Sequence, residues 1–218
     1  MGTTKTRILW VAGGIAICVL AAVVIFLKSP DPLYALKEVL FRERYHRYDI
    51  LTEEIGAQYD IDPNLLRAVI WQESRFQPNT VGKHGERGLM QVMEIAANEW
   101  AQSEKINGFQ LNDLFDPKTN IQAGAWRLSK ALRHWSKSDN PVPFALAEYN
   151  AGRSRVVRWT ADPVEKTHTT SAEEMKARMD FPTTRAYINA ILERYEYYKT
   201  KQSAKASREP AEPDPVTP

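Results

Sequence analysis

The stretch "LLRAVIWQESRF", Leu65 to Phe76, decides how the chain is read. Leu66, Val69 and Ile70 recur at spacings of three and four, the signature of one helical face, and the next position on that face is Glu73. A carboxylate therefore points at a core. Asp62 supplies an acceptor for the orphan amides of the first turn and Pro63 fits the first helical position, so the phase of the helix is set at its start. Two readings of Glu73 follow. Either it is a structural acid, paired with Arg67 or Arg75 or reaching solvent at the helix end, or it is a carboxyl kept protonated by low-dielectric surroundings as a general acid. Structural ion pairs outnumber catalytic acids, and periodicity alone leaves both open.

The 218 residues are 43% hydrophobic and 26% charged, enough for one ordinary globular domain with appendages. The run Ile8 to Leu27, "ILWVAGGIAICVLAAVVIFL", holds 20 residues without a charge. As a helix it would cover about 30 Å, one bilayer crossing. Its length and its bulky end favour an uncleaved signal anchor over a signal peptide. Lys37, Arg42, Arg44 and Arg47 after the run outnumber Lys5 and Arg7 before it, against the charge bias expected of an exported domain, although large domains cross regardless of loop charge. The start "MGTTKT" fits a myristoylation pattern, but so short a match before a membrane span is best read as chance. Cys18, the sole cysteine, lies within the run and leaves the redox compartment undefined.

Without Lys5, Arg7 and Lys28 the 29 basic residues fall to 26 against 27 acidic, so the remainder gives no electrostatic footprint for nucleic acid. From Gln202 the chain reads "QSAKASREPAEPDPVTP", with four prolines and no aromatic residue, which predicts a disordered tail. The expected organisation is a signal anchor over 1–28, a juxtamembrane helical linker over 29–47, a catalytic domain over 48–200 and the tail over 201–218.

Between the ends the pattern is helical. Ile121, Gly124, Ala125, Leu128, Leu132 and Trp135 form a stripe behind the start signal Asp116-Pro117, with Arg127, Lys130, Arg133 and His134 facing away. Pro143 opens a shorter helix that Asn150 and Gly152 close with a left-handed stop. A last helix from near Thr183 presents Tyr187, Ile188, Ile191, Leu192, Tyr195 and Tyr198 on one side. "QPNTVGKHGERG", Gln77 to Gly88, suits a short ribbon or an extended loop, and residues 161–180 read as a mobile polar connection with no core face. His46, His84, His134 and His168 are scattered without ligand spacing, so no metal or cofactor is expected.

Glu73-Ser74, "GLMQ" at Gly88 to Gln91, "DPKTNIQAGAWRL" from Asp116 and "AEYNAG" at Ala147 to Gly152 occur in an order and spacing that resemble the catalytic domain of the soluble lytic transglycosylases. The resemblance spans roughly Tyr48 to Lys199. It implies an all-α, lysozyme-like domain that cleaves peptidoglycan, tethered to the bacterial inner membrane and facing the periplasm. Glu73 would be the catalytic acid and then base, with Ser74 beside it orienting substrate or carboxyl. Gly88, Met90 and Gln91 would form the cleft wall, Asn150 would bind a sugar or its acetamido group with Tyr149 behind it, and the hydroxyl of Tyr187 would reach the catalytic carboxyl. Outside the resemblance, Gly88 reads as a turn, Met90 as core filler, Asn150 as a helix stop and Tyr187 as core. Two positions depart from the family pattern, Glu148 in place of a small apolar residue and Thr183-Thr184 before Arg185 where a glutamate is usual.

Protonating a glycosidic oxygen requires a carboxyl whose pKa lies well above its ordinary value of about 4.3. Ordinary glycosidases pair that acid with a second carboxylate, whereas a lytic transglycosylase lets the substrate's C6 hydroxyl attack the anomeric carbon and forms a 1,6-anhydro product. No second carboxylate is tied to the cleft by a motif. A hydrolytic muramidase of the goose-lysozyme kind and a catalytically silent wall-binding or secretion-assembly scaffold are the other readings.

Overall fold

The computed structural model describes residues 32–161 and 168–207, with Trp10, Gly14, Leu20 and Val23 as isolated positions. The apolar run Ile8 to Leu27 otherwise lies outside the described residues. Among those described, no helix is long and apolar enough to cross a membrane. The chain divides into two compact units between Arg47 and Tyr48.

In the first unit the expected linker is two helices, α1 (Pro32–Leu40) and α2 (Arg42–His46). Glu38 is buried and lies 3.3 Å from the His46 ring, while Leu33, Leu36, Val39 and Leu40 are exposed.

The second unit is helical with isolated bridges in place of strands among its described residues. It comprises α3 (Asp49–Tyr59), α4 (Pro63–Ser74), α5 (Glu94–Ser103), a 3-10 turn at Leu111–Phe115, α6 (Pro117–His134), α7 (Pro141–Ala151), α8 (Arg153–Thr160), α9 (Ala172–Ala177) and α10 (Pro182–Ala206). Helix α4 is central, with Leu65, Leu66, Ala68, Val69 and Ile70 all buried between α3 and α10. Asp62 caps it as expected, accepting from the Asn64 amide at 2.8 Å with Pro63 in the first turn. The other Asp62 oxygen accepts from the Tyr195 hydroxyl at 2.7 Å, which ties the start of α4 to α10.

Helix α6 begins at the predicted signal, the Asp116 carboxylate accepting from the Thr119 amide at 2.9 Å. Ile121, Ala125 and Leu128 fill the core, whereas Leu132 and Trp135 are only half-buried. Gly124 is there for space: an added Cβ would lie 2.5 Å from the Met90 sulfur. One turn earlier sits Asn120, wholly buried. Its Oδ1 accepts from the Met90 amide at 2.8 Å, and its Nδ2 donates to the carbonyls of Arg87 and Leu114, each at 2.8 Å. This amide pins the Gly88 to Gln91 loop to α6, and it fills the space that a side chain at Gly88 would need, 2.2 Å from its ideal Cβ. Gly88 also has φ +75, so two constraints select glycine.

Several expectations need correction. The outward face of α6 excludes Arg127, which is half-buried and turned towards α7, its guanidinium donating to the Tyr149 carbonyl at 2.8 Å. Helix α7 starts at Pro141, two residues before Pro143, because the Asn140 side chain caps it. Asn150 is a helical residue without left-handed φ, and only Gly152, at φ +86, breaks the helix. Residues 161–180 do have a core face: Met175 and Met179 are buried, the Trp159 indole donates to Asp180 at 2.6 Å, and Arg178 donates to the Thr160 and Ala161 carbonyls. Residues 162–167 lie outside the described residues. Helix α10 runs to Ala206, and Gln202 accepts from the Asn64 side chain at 2.6 Å, so the expected tail is helical at its start; residues 208–218 lie outside the described residues. The stretch Gln77 to Gly88 holds a bridge from Val81 to Arg87, and Arg87 also bridges to Val92.

Replacing Asn120 with leucine, similar in size but unable to hydrogen-bond, strands one amide and two carbonyls in a dry site. We expect a loss of about 3 kcal/mol or more in urea unfolding.

Candidate active site

Helix α4 ends where its apolar face meets an open cleft, and Glu73 is the residue placed there. The cleft, about 300 Å³, is lined by Glu73, Arg127, Tyr149 and Asn150 from the helices and by Gly82, Lys83, His84, Glu86, Gln91 and Met93 from the loop after α4. Four of the expected site residues are therefore brought together directly. Tyr187 joins them from α10, its hydroxyl donating to Glu73 Oε1 at 2.6 Å.

The structural-acid reading of Glu73 gave it either an arginine partner or a place in solvent at the helix end. Arg67 instead holds Asp49 at 3.0 Å, and Arg75 lies over the Trp71 ring, 3.7 Å from its centroid, with a hydrogen bond to the Trp71 carbonyl. Glu73 is partly exposed as a residue because the cleft opens over it, yet its carboxyl is closely surrounded by protein. Burial pushes its pKa up to about 7. The Tyr187 hydrogen bond and the positive charges of Arg127 and Arg75 oppose that rise, while the negative charge of Glu86 adds to it. Tyr187 is itself held well above the usual phenol range, first by burial and then by Glu73, so it remains a donor at any working pH.

The other expected residues divide into lining and support. Asn150 is exposed on the cleft, and its Oδ1 accepts from the Thr184 hydroxyl at 2.8 Å. Tyr149 is buried behind it and donates to the Met90 carbonyl at 2.8 Å. Gln91, at φ +48, lines the cleft, but its amide nitrogen donates to the Thr80 and Gly88 carbonyls at 3.1 and 2.8 Å. Met90 is fully buried between Gly124 and the cleft wall, and the wall is faced by Met93 instead. Gly88 is a buried turn beneath it. Ser74 is also buried, its hydroxyl donating back to the Ile70 carbonyl at 3.1 Å, so it orients neither carboxyl nor cleft.

Sequence reasoning missed Asn120, Arg127 and Glu86. Arg127 lies 4.6 Å over the Tyr149 ring, a cation held beside the acid. Glu86 is a second carboxylate on the cleft. Burial pushes its pKa up, but hydrogen bonds from its own backbone and from His84 prevail and hold it below the usual range. Glu148, the departure from the family pattern, faces away from this chemistry: it binds Arg153 at 2.8 Å and accepts from the Trp135 indole at 2.9 Å.

An acid raised to neutrality, lining an open cleft and holding a phenol donor on one of its oxygens, makes a site suited to giving and recovering one proton. The chain belongs to the Transglycosylase SLT domain family, which matches residues 50–171, more than half of its length. It is 33% identical over 116 residues to a "Membrane-bound lytic murein transglycosylase F" of Desulfosudis oleivorans, covering 52% of this chain and 24% of that protein. It is 38% identical over 108 residues to an "X polypeptide" of Escherichia coli, covering 47% of this chain and 59% of that one. The crystal structure of the 70 kDa soluble lytic transglycosylase of Escherichia coli superposes with a TM-score of 0.63 at 27% identity, over 71% of this chain and 24% of that one. The chain thus spans about a quarter of the length of the two named transglycosylases.

Replacing Glu73 with glutamine tests the burial directly. Between pH 4.5 and about 7 the folded carboxyl keeps its proton while the unfolded one loses it, so the native protein loses stability as pH rises through that window. The glutamine variant lacks this loss. Relative to the native protein it should gain about 3 kcal/mol between pH 4 and pH 8, read from paired denaturation curves.

Proposed function

We propose that this chain is a peptidoglycan lytic transglycosylase that cleaves the MurNAc–GlcNAc β-1,4 bond without water and leaves 1,6-anhydroMurNAc ends. The observation that carries this reading is Glu73, a carboxyl pushed up to about 7 at the floor of an open cleft and hydrogen-bonded by Tyr187. Membership of the family and the printed names of its relatives support the substrate class.

Tyr187 donates to Oε1 of Glu73, which leaves Oε2 as the oxygen that carries the acid proton. That proton passes to the glycosidic oxygen as the bond from the anomeric carbon breaks. The C6 hydroxyl of the same MurNAc then closes on that carbon, and its proton returns to Glu73. As Glu73 ionises in the first step, the Tyr187 hydroxyl and the Arg127 charge stabilise the carboxylate, so the forces that oppose its raised pKa become useful at that moment. Asn150 offers its amide nitrogen to a sugar or acetamido oxygen, and Tyr149 and Gln91 hold the wall in register.

One observation favours a second reading. Glu86 places another carboxylate on the cleft, and hydrolytic glycosidases use such a partner to activate water. Mass spectrometry of peptidoglycan digested by the full chain, with Glu73→Gln alongside, separates the two. Anhydromuropeptides lighter by one water are expected from the native protein and none from the variant. Reducing ends would select the hydrolase, and full lysis by Glu73→Gln would remove Glu73 from the chemistry.

The cellular setting rests on the sequence. We read residues 1–28 as an inner-membrane anchor, 29–47 as its linker and 48–200 as the catalytic domain in the periplasm. One relative carries "membrane-bound" in its name. Expressed in a Gram-negative host, the chain should stay with membranes after alkaline carbonate extraction and be digested by protease once the outer membrane is opened; release by carbonate would remove the anchor.

A further inference from the structure

Glu86 is more closely built into the cleft than an incidental surface acid. Its loop folds back so that the Gly82 amide donates to the Glu86 carbonyl at 2.8 Å, and an added Cβ at Gly82 would lie 2.2 Å from Glu86 Oε2 and 2.9 Å from Gln91 Oε1. The ends of both side chains thus come up against the backbone at Gly82, where no side chain stands in their place. The His84 amide donates to Oε2 at 2.9 Å, and the His84 ring lies 3.3 Å from Oε1 with its own side chain 78% exposed. The adjacent arginine does not neutralise Glu86: Arg87 donates to Asn112 at 2.6 Å and lies over the Phe115 ring. A carboxylate fixed by its backbone and matched, among the described residues, by a solvent-exposed imidazole thus fronts the same cavity as Glu73.

We propose that Glu86 is a positioning charge of the active site, acting across the cleft on the Glu73 proton and on the positive charge that develops at the glycosyl residue. The inference rests on the transglycosylase reading and adds a residue to it. During the reaction Glu86 neither gains nor loses a proton. Glu73 gives its proton to the departing oxygen, the anomeric carbon–oxygen bond breaks, and the C6 hydroxyl closes the new bond and returns its proton to Glu73. A fixed negative charge favours the protonated form of Glu73 before that step and the cationic sugar within it. The other charged or titratable groups around Glu73 are Arg127 on α6, Tyr149 on α7, Tyr187 on α10, Arg75 after α4, and Lys83 and His84 on the loop. Arg127 and Arg75 pull Glu73 towards ionisation; burial opposes them first, and the Glu86 charge adds to that opposition.

The test compares Glu86→Gln, which keeps an acceptor for the His84 amide but loses the charge, with Glu86→Asp, which keeps the charge. On peptidoglycan, kcat of Glu86→Gln should fall on the order of tenfold with little change in KM, and the alkaline limb of its pH profile should move to lower pH. Glu86→Asp should keep the native profile. A second readout needs no turnover: the carbon-13 titration of the Glu73 carboxyl, expected near 7 in the native protein, should have a lower midpoint in Glu86→Gln. An unchanged pH profile and titration in Glu86→Gln, with melting temperatures equal across the set, would overturn the proposal. A native protein that releases no products would overturn the transglycosylase reading, while the titration would still decide whether Glu86 acts on Glu73.

Discussion

A single buried amide holds the site together. Asn120 satisfies two backbone groups of the loop that follows α4 and one of the 3-10 turn, and the far wall of the cleft depends on where that loop lies. With the Met90 amide fixed, its carbonyl faces the Tyr149 hydroxyl, and Tyr149 in turn brings its own carbonyl to Arg127. The chain of contacts runs from α6 through the loop to α7 and back to α6. It is closed by polar groups in a dry interior, where each unmade bond costs more than a made one contributes.

That closure matters because the acid is balanced between opposing fields. Burial favours the neutral form of Glu73, and Arg127 favours its ionised form. The observed arrangement sets desolvation and the Glu86 charge against Tyr187, Arg127 and Arg75, with a result close to neutrality. A carboxyl poised there can act as acid and as base in consecutive steps with little loss in either role.

Much of the fold was legible because its signals are local. Asp62-Pro63 and Asp116-Pro117 each mark a helix start through a carboxylate and a fixed φ, and both helices begin there. Glu73 and Tyr187 were legible from a break in apolar periodicity and from a resemblance. Their contact spans 114 residues of sequence, and no pattern encodes that distance. Arg127 was misread because helical periodicity assigns charge to solvent, and it cannot show that α7 offers a carbonyl and a ring on that side. Met90 and Ser74 stand beside cleft residues in sequence but point away, since neighbours in a turn need not share a surface. Glu86 escaped notice although it precedes Arg87-Gly88 directly, because an acid in a glycine-rich loop looks solvated until the loop is seen to close. Residues 161–180 hid two core methionines among charges.

The contact between Gly124 and Met90 has a broader meaning. The helix and the loop approach so closely there that one residue's volume is set by the other's: the methionine sulfur occupies the place where any side chain on the helix would begin. The two positions therefore act as one steric unit split across 34 residues of chain. In natural or laboratory variation, a bulkier residue at 124 becomes tolerable only alongside a slimmer one at 90. Because Met90 carries the acceptor for Tyr149, such paired drift would also be a route by which the width of the cleft changes without any alteration to the residues that line it.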